Sequence, residues 1–446
     1  MAAKADLPRR IAFEVLLRFD KGGADRLKAD SLVADALARN PAALSEQDRG
    51  FVYALVMGTL RHWLRLDEWI KRLTGKHLKQ MTPQVRVLLR LGLFQLYGLN
   101  QVPAYAAINT TVDLAKGQKQ SPRTIKFINA VLREAQRVLE ADGFAIPPVE
   151  TDLPDHLLWA YGWPESFTRM LQNQYGPQAI LDMAEQSQSP SGLSIRVNTL
   201  KINPAAYLET LKVAGLEAKS LAELPAEPAE GIRLADFSGS PRKLPGFEQG
   251  LCYVQDASSM WVSHLLKPQP GESVLDLCAA PGSKTTHMAA LMQNEGAITA
   301  IDPKPERLAL LTENVQRLGI TNIHALQADG LTFDPAEQLY DKVLVDAPCS
   351  GSGTLRRHTE ILLHLKKLNL DAYVKTQWAL LQKGFECLRP GGAMIYSTCS
   401  VLRAENHDVV AKLLASYPNA TLESEEQRLI NENADGFYAA RILKTA

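Results

Sequence analysis

The chain has 446 residues, of which 46% are hydrophobic and 22% are charged. This composition excludes a wholly disordered chain and suits roughly two to four globular domains. Lys+Arg and Asp+Glu both number 49, so the formal net charge is zero. No apolar run approaches the roughly 18 residues of a membrane-spanning helix, and the first residues lack the apolar core of a secretory signal. We therefore expect a cytoplasmic protein without a membrane partner.

The cysteines and histidines give no sign of a metal centre. The five cysteines stand far apart and include no C-x-x-C pair, which argues against a disulfide framework and against a cysteine zinc site. The nine histidines do not cluster along the sequence at ligand spacing either. The sequence therefore predicts no bound metal.

The zero net charge conceals an uneven distribution. Residues 1–150 carry 23 basic and 15 acidic side chains, a surplus of eight, whereas the remainder carries 26 and 34. Within 61–140 the count is 14 basic against 5 acidic. A basic N-terminal part suggests a polyanionic partner such as nucleic acid, although a solvated helix surface would give the same count.

Residues 1–142 have the pattern of an all-helical domain. Apolar residues recur at helical spacing within 52–60 and 85–96. Ser45 is a predicted N-cap, with Asp48 three residues on, and Pro83 suits the first turn of another helix. The segments GTLRHWLRLDEWI, VRVLLRLGLFQLYGLNQVPAYAAINTTVDLAK and FINAVLR resemble the NusB-type helical domain, which implies RNA binding. The predicted phosphate contacts, each of which is also explained by simple solvation, are Lys76, Lys79, Arg123 and Lys126.

Residues 143–245 are predicted to form a linker and a small α+β RNA-binding module. The linker, about 141–155, is rich in proline and acidic residues. Further on, LSIRVNTLK alternates like a β-strand.

Residues 246–446 alternate between predicted strands and helices. Strands are expected at 273–277, 297–301, 323–326, 341–345 and 393–396. This alternation predicts a Rossmann-like α/β domain, whose parallel sheet is covered by helices on both faces. In such sheets ligands bind beyond the carboxyl ends of the strands. Each predicted strand is followed there by a polar or small-residue feature, namely the loop 278–282, Asp302, Asp329, Asp346 and Cys399.

The loop after the first of these strands reads C-A-A-P-G-S-K and matches neither phosphate-binding glycine pattern. It is a tight turn of small residues that leads into a helix N-terminus, where free N–H groups suit a carboxylate. Asp302 is placed to hold ribose hydroxyls, and Asp329 is placed to accept from an adenine amino group. A ribose, an adenine and a small charged tail favour S-adenosylmethionine over a dinucleotide.

Two cysteines follow neighbouring predicted strands, Cys349 after Asp346 and Cys399 after the next strand. Thiols beside a methyl donor suggest methylation of a pyrimidine at C5. A thiolate that adds to C6 makes C5 nucleophilic enough to accept a methyl group, and Asp346 is placed to hydrogen-bond the base amino group and N3. The residues alone do not separate the two thiols, and burial as a small apolar side chain remains the preferred explanation for the thiols of Cys278 and Cys387.

The motifs LDLCAAPGSKT, AIDPKPERL, QADG, VLVDAPCSGSGTLRRH and YSTCSV resemble those of the RNA cytosine-5 methyltransferases. With the NusB-like part, the whole chain resembles the bacterial RsmB (Sun/Fmu) family of 16S rRNA methyltransferases. This resemblance implies that Cys399 is the nucleophile and that Cys349 assists product release. The S-adenosylmethionine site that it implies comprises Cys278, Ala279, Ala280, Pro281, Gly282, Ser283, Lys284, Asp302, Arg307, Asp329 and Asp346.

The sequence departs from the family at two places. P-G-G-K becomes P-G-S-K at Ser283, which keeps its backbone N–H unless that position requires a positive φ. R-R-H-P-D-I becomes R-R-H-T-E-I, where Arg356 and Arg357 are further predicted phosphate contacts. We expect a monomer that methylates a loop or flipped cytidine in 16S rRNA. The alternatives are a non-catalytic RNA-binding factor in ribosome assembly or antitermination, and the same chemistry on tRNA.

Overall fold

A computed structural model describes residues 7–21, 28–40, 44–189, 192–224, 227–235, 237, 239–335 and 338–445. The chain divides into two compact units. The first, which we call the helical unit, comprises Met1–Gln188 and Arg357–Leu368, and the second, the sheet unit, comprises Ser189–Arg356 and Asn369–Ala446. Among the described residues, no helix combines the length and the apolar character that crossing a membrane requires.

Ten helices form most of the described part of the helical unit, and seven of them lie within residues 1–142, where the apolar periodicity predicts an all-helical domain. They are α1 (Leu7–Asp20), α2 (Ala29–Ala38), α3 (Glu46–Arg61), α4 (Trp63–Thr74), α5 (Pro83–Gly98), α6 (Ala104–Gly117), α7 (Pro122–Glu140), α8 (Leu153–Tyr161), α9 (Glu165–Gln172) and α10 (Pro177–Gln188). Ser45 Oγ accepts from the N–H of Asp48, whose carboxylate accepts from the N–H of Ser45, so the predicted capping is confirmed. Thr82 caps the helix that Pro83 begins.

Part of the basic surplus lies inside this helical unit. The Arg90 guanidinium is buried and contacts Asp20 Oδ1 and Asp67 Oδ1, both at 2.5 Å. Arg86 Nη2 adds a second ion pair to Asp20 at 2.5 Å. The guanidinium carbon of Arg90 also lies 3.8 Å from the centre of the Trp63 ring. These arginines stabilise the bundle and are not free to bind RNA.

The sheet unit begins with a small antiparallel sheet. Its elements are β1 (Leu193–Val197), α11 (Pro204–Val213), β2 (Ala218–Ser220), β3 (Gly231–Leu234) and β4 (Cys252–Val254). The strand order is β2-β3-β1-β4, with every neighbouring pair antiparallel. The predicted strand in LSIRVNTLK is β1.

A larger sheet of seven strands follows. Its part of the chain contains α12 (Ala257–Leu266), β5 (Ser273–Asp276), α13 (Ser283–Leu291), β6 (Ala297–Asp302), α14 (Pro305–Leu318), β7 (Ile323–Gln327), β8 (Tyr340–Asp346), α15 (Ile361–Leu365, in the helical unit), α16 (Leu370–Cys387), β9 (Leu388–Thr398), α17 (His407–Ser416), β10 (Ala420–Arg428) and β11 (Phe437–Lys444). The order is β10-β11-β9-β8-β5-β6-β7, and the pairs from β9 to β7 are parallel.

Consecutive residues of the central strands enter two different cores. On β8, Val343 and Val345 pack with α16 and α17, whereas Leu344 packs with α12 and α13. Because successive side chains point to opposite faces, a strand that is buried on both faces is apolar throughout. The five strands predicted from short apolar runs are all present, as β5 to β9.

Two strands of the larger sheet were not predicted, and neither were β2, β3 and β4 of the small sheet. β10 and β11 lie at one end of the sheet and pair antiparallel to their neighbours. β10 consists largely of exposed polar residues, which leave no apolar alternation in the sequence. The helix predicted to start at Thr286 instead begins at Ser283.

Removing one carboxylate from the buried ion-pair cluster tests its contribution to the helical unit. Asp67→Ala leaves the buried Arg90 without one of its two acidic partners, and we expect a loss of about 3–5 kcal/mol in the free energy of unfolding. The measurement is urea denaturation followed by circular dichroism. Asp113→Ala, which breaks an exposed ion pair with Lys116, serves as the control and should cost less than about 1 kcal/mol. Equal losses in the two variants would contradict this role of the cluster.

Candidate active site

The loop from Leu277 to Gly282 connects β5 to α13 and carries the small residues of the predicted donor site. Ala279 donates a backbone hydrogen bond to the Ile301 carbonyl at 2.9 Å, which fixes the loop beside β6. Gly282 has a φ of +100°, and a Cβ there would lie 2.3 Å from Leu311 Cδ1. Ser283 is already the first residue of the helix. The need for a positive φ thus falls on Gly282, and serine is accommodated at the next position.

The Asp276 carboxyl group holds this loop in place by hydrogen bonds, a role that the sequence did not reveal. Its side chain is buried, accepting from Thr285 Oγ1 at 2.8 Å and from the N–H of Cys278 at 3.3 Å. Burial raises the pKa of Asp276 to about 7. The carboxyl group therefore ties the end of β5 to the first turn of α13.

Asp302 and Arg307, both predicted cofactor contacts, face each other across the start of α14. Asp302 is 1% exposed, and its Oδ2 lies 3.0 Å from Arg307 Nη1, while its Oδ1 accepts from the N–H of Lys304 at 3.0 Å. Arg307 also donates to the carbonyl of Ala280. The arginine consequently joins the donor loop to Asp302, and its side chain is 44% exposed.

Asp346 lies at the end of β8 and is held from two sides. Lys284 Nζ, on the first turn of α13, is 2.7 Å from Asp346 Oδ2, and Ser397 Oγ donates to Asp346 Oδ1 at 2.8 Å. The Lys284 ammonium also lies 4.8 Å from the centre of the Phe437 ring. Lys284 and Asp346, predicted separately, thus form one ion pair between the donor helix and the neighbouring strand.

The two predicted cysteines meet beyond the ends of β8 and β9. Cys349 Sγ lies 3.3 Å from Cys399 Sγ, within hydrogen-bonding distance for sulfur. The hydrogen bond with Cys399, together with burial, raises the pKa of Cys349 well above its ordinary value. Cys349 therefore favours its protonated form, and the two sulfur atoms are close enough to share one hydrogen bond. Both side chains are half-buried rather than sealed in the core.

Glu405, in an A-E-N segment that belongs to the same family motif as Cys399, connects the segments that carry the two cysteines, a role that the sequence did not reveal. Its buried carboxylate accepts from the N–H and Oγ of Ser350, at 2.8 and 2.5 Å, and from Ser400 Oγ at 2.5 Å. Gln377 Nε2, on α16, donates a further bond at 2.9 Å. Ser350 follows Cys349 and Ser400 follows Cys399, so a single carboxylate sets the separation of the two thiols.

Two glycines bring the loop after Cys349 against the segment before β11. Gly353 donates to the carbonyl of Cys399 at 2.9 Å, and Gly436 donates to the carbonyl of Gly353 at 2.8 Å. A Cβ on Gly353 would lie 2.0 Å from the Gly436 carbonyl oxygen. Since the obstructing atom belongs to the backbone, no side chain larger than hydrogen fits at Gly353.

The other residues singled out from the sequence differ in their exposure and protonation. Asp329 is exposed, and its Oδ1 accepts from the N–H of Leu331 at 2.9 Å. Arg356 is buried and donates to the carbonyl of Asn431, so the expectation of a phosphate contact there is wrong. Burial raises the pKa of Cys278 well above its ordinary value and that of Cys387 to about 11. Both thiols thus stay neutral.

Comparison with known protein families identifies three parts of the chain. Residues 263–443 match the family described as 16S rRNA methyltransferase RsmB/F. Residues 6–137 match the NusB family, and residues 163–237 match the RsmF/B-like ferredoxin-like domain. These matches confirm the helical N-terminal domain, the small α+β module and the methyltransferase fold.

Curated relatives extend the match over the full chain. The probable ribosomal RNA small subunit methyltransferase B of Synechocystis sp. is 35% identical, over 98% of this chain and 99% of the relative. The ribosomal RNA small subunit methyltransferase B of Vibrio vulnificus is 33% identical, over 93% of this chain and 95% of the relative. The chain belongs to the ribosomal RNA small subunit methyltransferase B family.

A solved structure, that of PH0851, shares the fold of this methyltransferase B family member. It has a TM-score of 0.80 and 23% sequence identity, and the match covers 98% of this chain and 99% of the other. The family model and the curated relatives confirm the resemblance noted in the sequence, and the matched residues 263–443 include the segments that carry the two cysteines.

The Glu405 network can be tested through the two thiols themselves. Glu405→Ala leaves four donors without an acceptor and should let the two cysteine segments separate. Because a disulfide requires the sulfur atoms to approach to about 2.05 Å, we expect cross-linking of Cys349 to Cys399 by hydrogen peroxide to slow about tenfold or more. Mass spectrometry of the non-reduced protein measures the rate.

Two further variants separate positioning from a general loss of structure. Glu405→Gln keeps the shape and two of the acceptor bonds, and the serine hydroxyls can reverse to accept from its amide, so its rate should stay within about threefold of the unsubstituted protein. Glu386→Ala, which breaks an exposed ion pair with Lys383, should leave the rate unchanged. Equal rates in Glu405→Ala and Glu386→Ala would refute the positioning role.

Proposed function

We propose that this protein uses S-adenosylmethionine to methylate C5 of a cytidine in 16S rRNA, through a covalent bond between Cys399 and C6 of the base. The observation that supports this most directly is the pair of thiols, 3.3 Å apart, beyond two neighbouring strands. The ion pair between Asp346 and Lys284 links that pair to the donor loop. The matched family and the names of the relatives point to the same substrate class.

Cys399 is the proposed nucleophile because it occupies the cysteine position of the T-C-S motif in the resembled family, and the protonated Cys349 beside it can donate to its sulfur. Addition of the thiolate to C6 makes C5 nucleophilic, and the C5 proton is lost to solvent after the methyl group is attached. The thiolate then leaves C6. Cys349, protonated and 3.3 Å away, donates to the departing sulfur and so favours release of the product.

Asp346 is the proposed contact to the base. Both of its oxygens are already oriented, one by Lys284 and the other by Ser397. Each carboxylate oxygen has a second lone pair, so Asp346 can also accept from the exocyclic amino group of cytosine. A cytosine held by Asp346 would have its C5 next to the donor loop, since Asp346 contacts both Lys284 of the donor helix and Ser397, two residues before Cys399.

The donor loop fits S-adenosylmethionine, which supplies an electrophilic methyl group when bound. Ala279, Ala280 and Gly282 have small side chains or none, so a ligand could approach the loop backbone closely, and the first amides of α13 suit its carboxylate. Asp302 would hold the ribose hydroxyls. For this the Arg307 side chain must move away from the Asp302 carboxylate, and it can do so because it is 44% exposed. Asp329 is exposed and would accept from the adenine amino group.

RNA would be held by the predicted basic residues of the helical unit. Lys76, Lys79, Arg123 and Lys126 are all exposed, unlike Arg90, and the Lys76 ammonium lies 5.1 Å from the centre of the Phe127 ring. We further propose three functional parts, with boundaries at 142/143 and 245/246, in a monomeric cytoplasmic enzyme.

Replacing the two cysteines gives opposite outcomes. Cys399→Ser should lower methyl transfer from tritiated S-adenosylmethionine to 16S rRNA by about 10³-fold or more, because the nucleophile is lost. Cys349→Ala should instead accumulate protein bound covalently to RNA, which is detected as a complex stable to sodium dodecyl sulfate. Such complexes should be absent from a protein that carries both substitutions.

Cys252→Ala is the control for the cysteine variants. Cys252 is buried beside the Tyr207 hydroxyl, outside the proposed site, and the variant should retain methyl transfer. Full activity of Cys399→Ser would exclude the proposed nucleophile. Transfer to tRNA and not to 16S rRNA would preserve the chemistry and reject the substrate, whereas RNA binding without any transfer would favour the non-catalytic factor.

The RNA contacts can be tested by the salt dependence of binding. Neutralising both Lys76 and Lys126 with glutamine should reduce the slope of log affinity against log salt concentration by about 1.5, since each phosphate contact contributes roughly 0.7–0.9. Filter binding of 16S rRNA over a range of salt concentrations measures the slope. Lys116→Gln, at a residue paired with Asp113, is the matched control and should change it little. An unchanged slope in the double variant would remove these lysines from the interface.

A further inference from the structure

Three metal-ligating side chains meet in the sheet unit, away from the proposed catalytic residues. Glu230 precedes β3, His264 lies on α12 and His287 lies on α13. Glu230 Oε1 is 2.7 Å from Nε2 of each histidine. One oxygen and two nitrogens from three separate segments all lie within 4.8 Å of one another.

His287 has unsatisfied hydrogen-bonding capacity at this point. Its side chain is 1% exposed, and neither ring nitrogen makes a hydrogen bond within the described part of the chain. Nε2 lies 2.7 Å from Glu230 Oε1, and the same oxygen is the partner of His264 Nε2, so the two imidazoles share one carboxylate oxygen. Buried polar groups without a hydrogen-bond partner are rare in native proteins, and a bound ion would account for this one.

The arrangement of the two rings agrees with a shared ion. Two imidazoles on one tetrahedral zinc, with Zn–N bonds of about 2.0–2.1 Å, have ring centres roughly 5 Å apart. The ring centres of His264 and His287 are 5.1 Å apart. Ligand atoms of a tetrahedral zinc lie about 3.3–3.4 Å apart, so each of the two Glu230–histidine distances of 2.7 Å would have to lengthen by about 0.6 Å.

We propose that Glu230, His264 and His287 bind a first-row divalent transition metal, with Zn²⁺ as the preferred ion. Two nitrogens and one carboxylate suit such ions and provide too few oxygens for Ca²⁺ or Mg²⁺. The His264 side chain is 40% exposed, which leaves room for a water as fourth ligand.

The positive charge of nearby Arg196 also favours a transition metal over Ca²⁺ or Mg²⁺ at this site. Buried Arg196 donates to Thr286 Oγ1 at 2.9 Å and to the Ser283 carbonyl at 2.7 Å, one turn or less from His287. Its positive charge opposes a second cation, so binding must come from the directional bonds that imidazole forms with transition metals rather than from charge alone.

The proposed metal would join the small sheet to the helix that begins at the donor loop. Glu230 is the residue before β3 of the small sheet, whereas His287 lies on α13, which starts at Ser283. Binding of the ion to the folded state alone would stabilise this junction. The site bears no direct part in methyl transfer, so it is independent of the proposed function.

Metal titration of the full-length protein tests the site. The protein is first stripped with a chelator and then titrated with Zn²⁺ in competition with a chromophoric chelator. We expect one equivalent per chain, with affinity reduced about 100-fold or more in His264→Ala and His287→Ala, since even outer-shell changes cost up to about 100-fold. Co²⁺ should give the intense visible absorption of a tetrahedral complex in the unsubstituted protein and lose it in both variants.

The controls make each outcome decisive. His324→Ala removes an exposed histidine from β7 and should leave affinity and stoichiometry unchanged. If His287→Ala fails to fold, the half-exposed His264 and the isosteric Glu230→Gln give the same test. Zn²⁺ binding that is absent from the unsubstituted protein, or equally tight in His264→Ala, would overturn the proposal, as would an equal loss in His324→Ala.

Discussion

The parallel pairing of β8 with β9 is the constraint on which the candidate active site depends. Asp346 lies opposite Ser397 in that register, so the chain leaves both strands at the same edge of the sheet. Cys349 and Cys399 are the third and second residues after this pair, which is why two thiols 50 positions apart come within 3.3 Å. A slip of one residue would turn every side chain of one strand to the opposite face and separate them. Glu405 and Lys284 refine a geometry that the sheet has already set.

Much of the fold could be predicted because the central strands are buried on both faces. Such strands are short apolar runs, and the polar residues that end them mark the binding edge, so Asp302, Asp346 and Cys399 were identified without coordinates. Glu405 does not end a strand, so this pattern gives it no role. Its role depends on four hydrogen bonds to partners up to 55 positions away in the chain. β10 also escaped prediction, because its side chains are exposed and polar. The roles of the site residues remain predictions, whereas their proximity is a property of the structure.

The number of basic residues in the N-terminal part does not by itself identify an RNA-binding surface. Arg90 belongs to the basic surplus of the first 150 residues, yet it is enclosed by Asp20, Asp67 and an indole ring. Arg65 is likewise buried and donates to the Tyr97 hydroxyl at 2.7 Å. Sequence alone does not distinguish these arginines from exposed Lys76 or Lys126, because burial depends on which helix face meets its neighbours. The same limitation hid the meeting of Glu230 with two histidines that lie 23 residues apart in the chain.

The return of residues 357–368 to the helical unit affects how the chain reaches its native state. Leu362 and Leu365 of this segment are buried, and Ser166 Oγ donates to the Leu365 carbonyl at 3.3 Å. The N-terminal bundle therefore stays incomplete during synthesis until almost 370 residues have been translated. Contacts across such long sequence separations slow folding, because a large loop must close before they form. A fragment that ends at residue 188 would expose an apolar surface, so the bundle is not a module that can simply be detached.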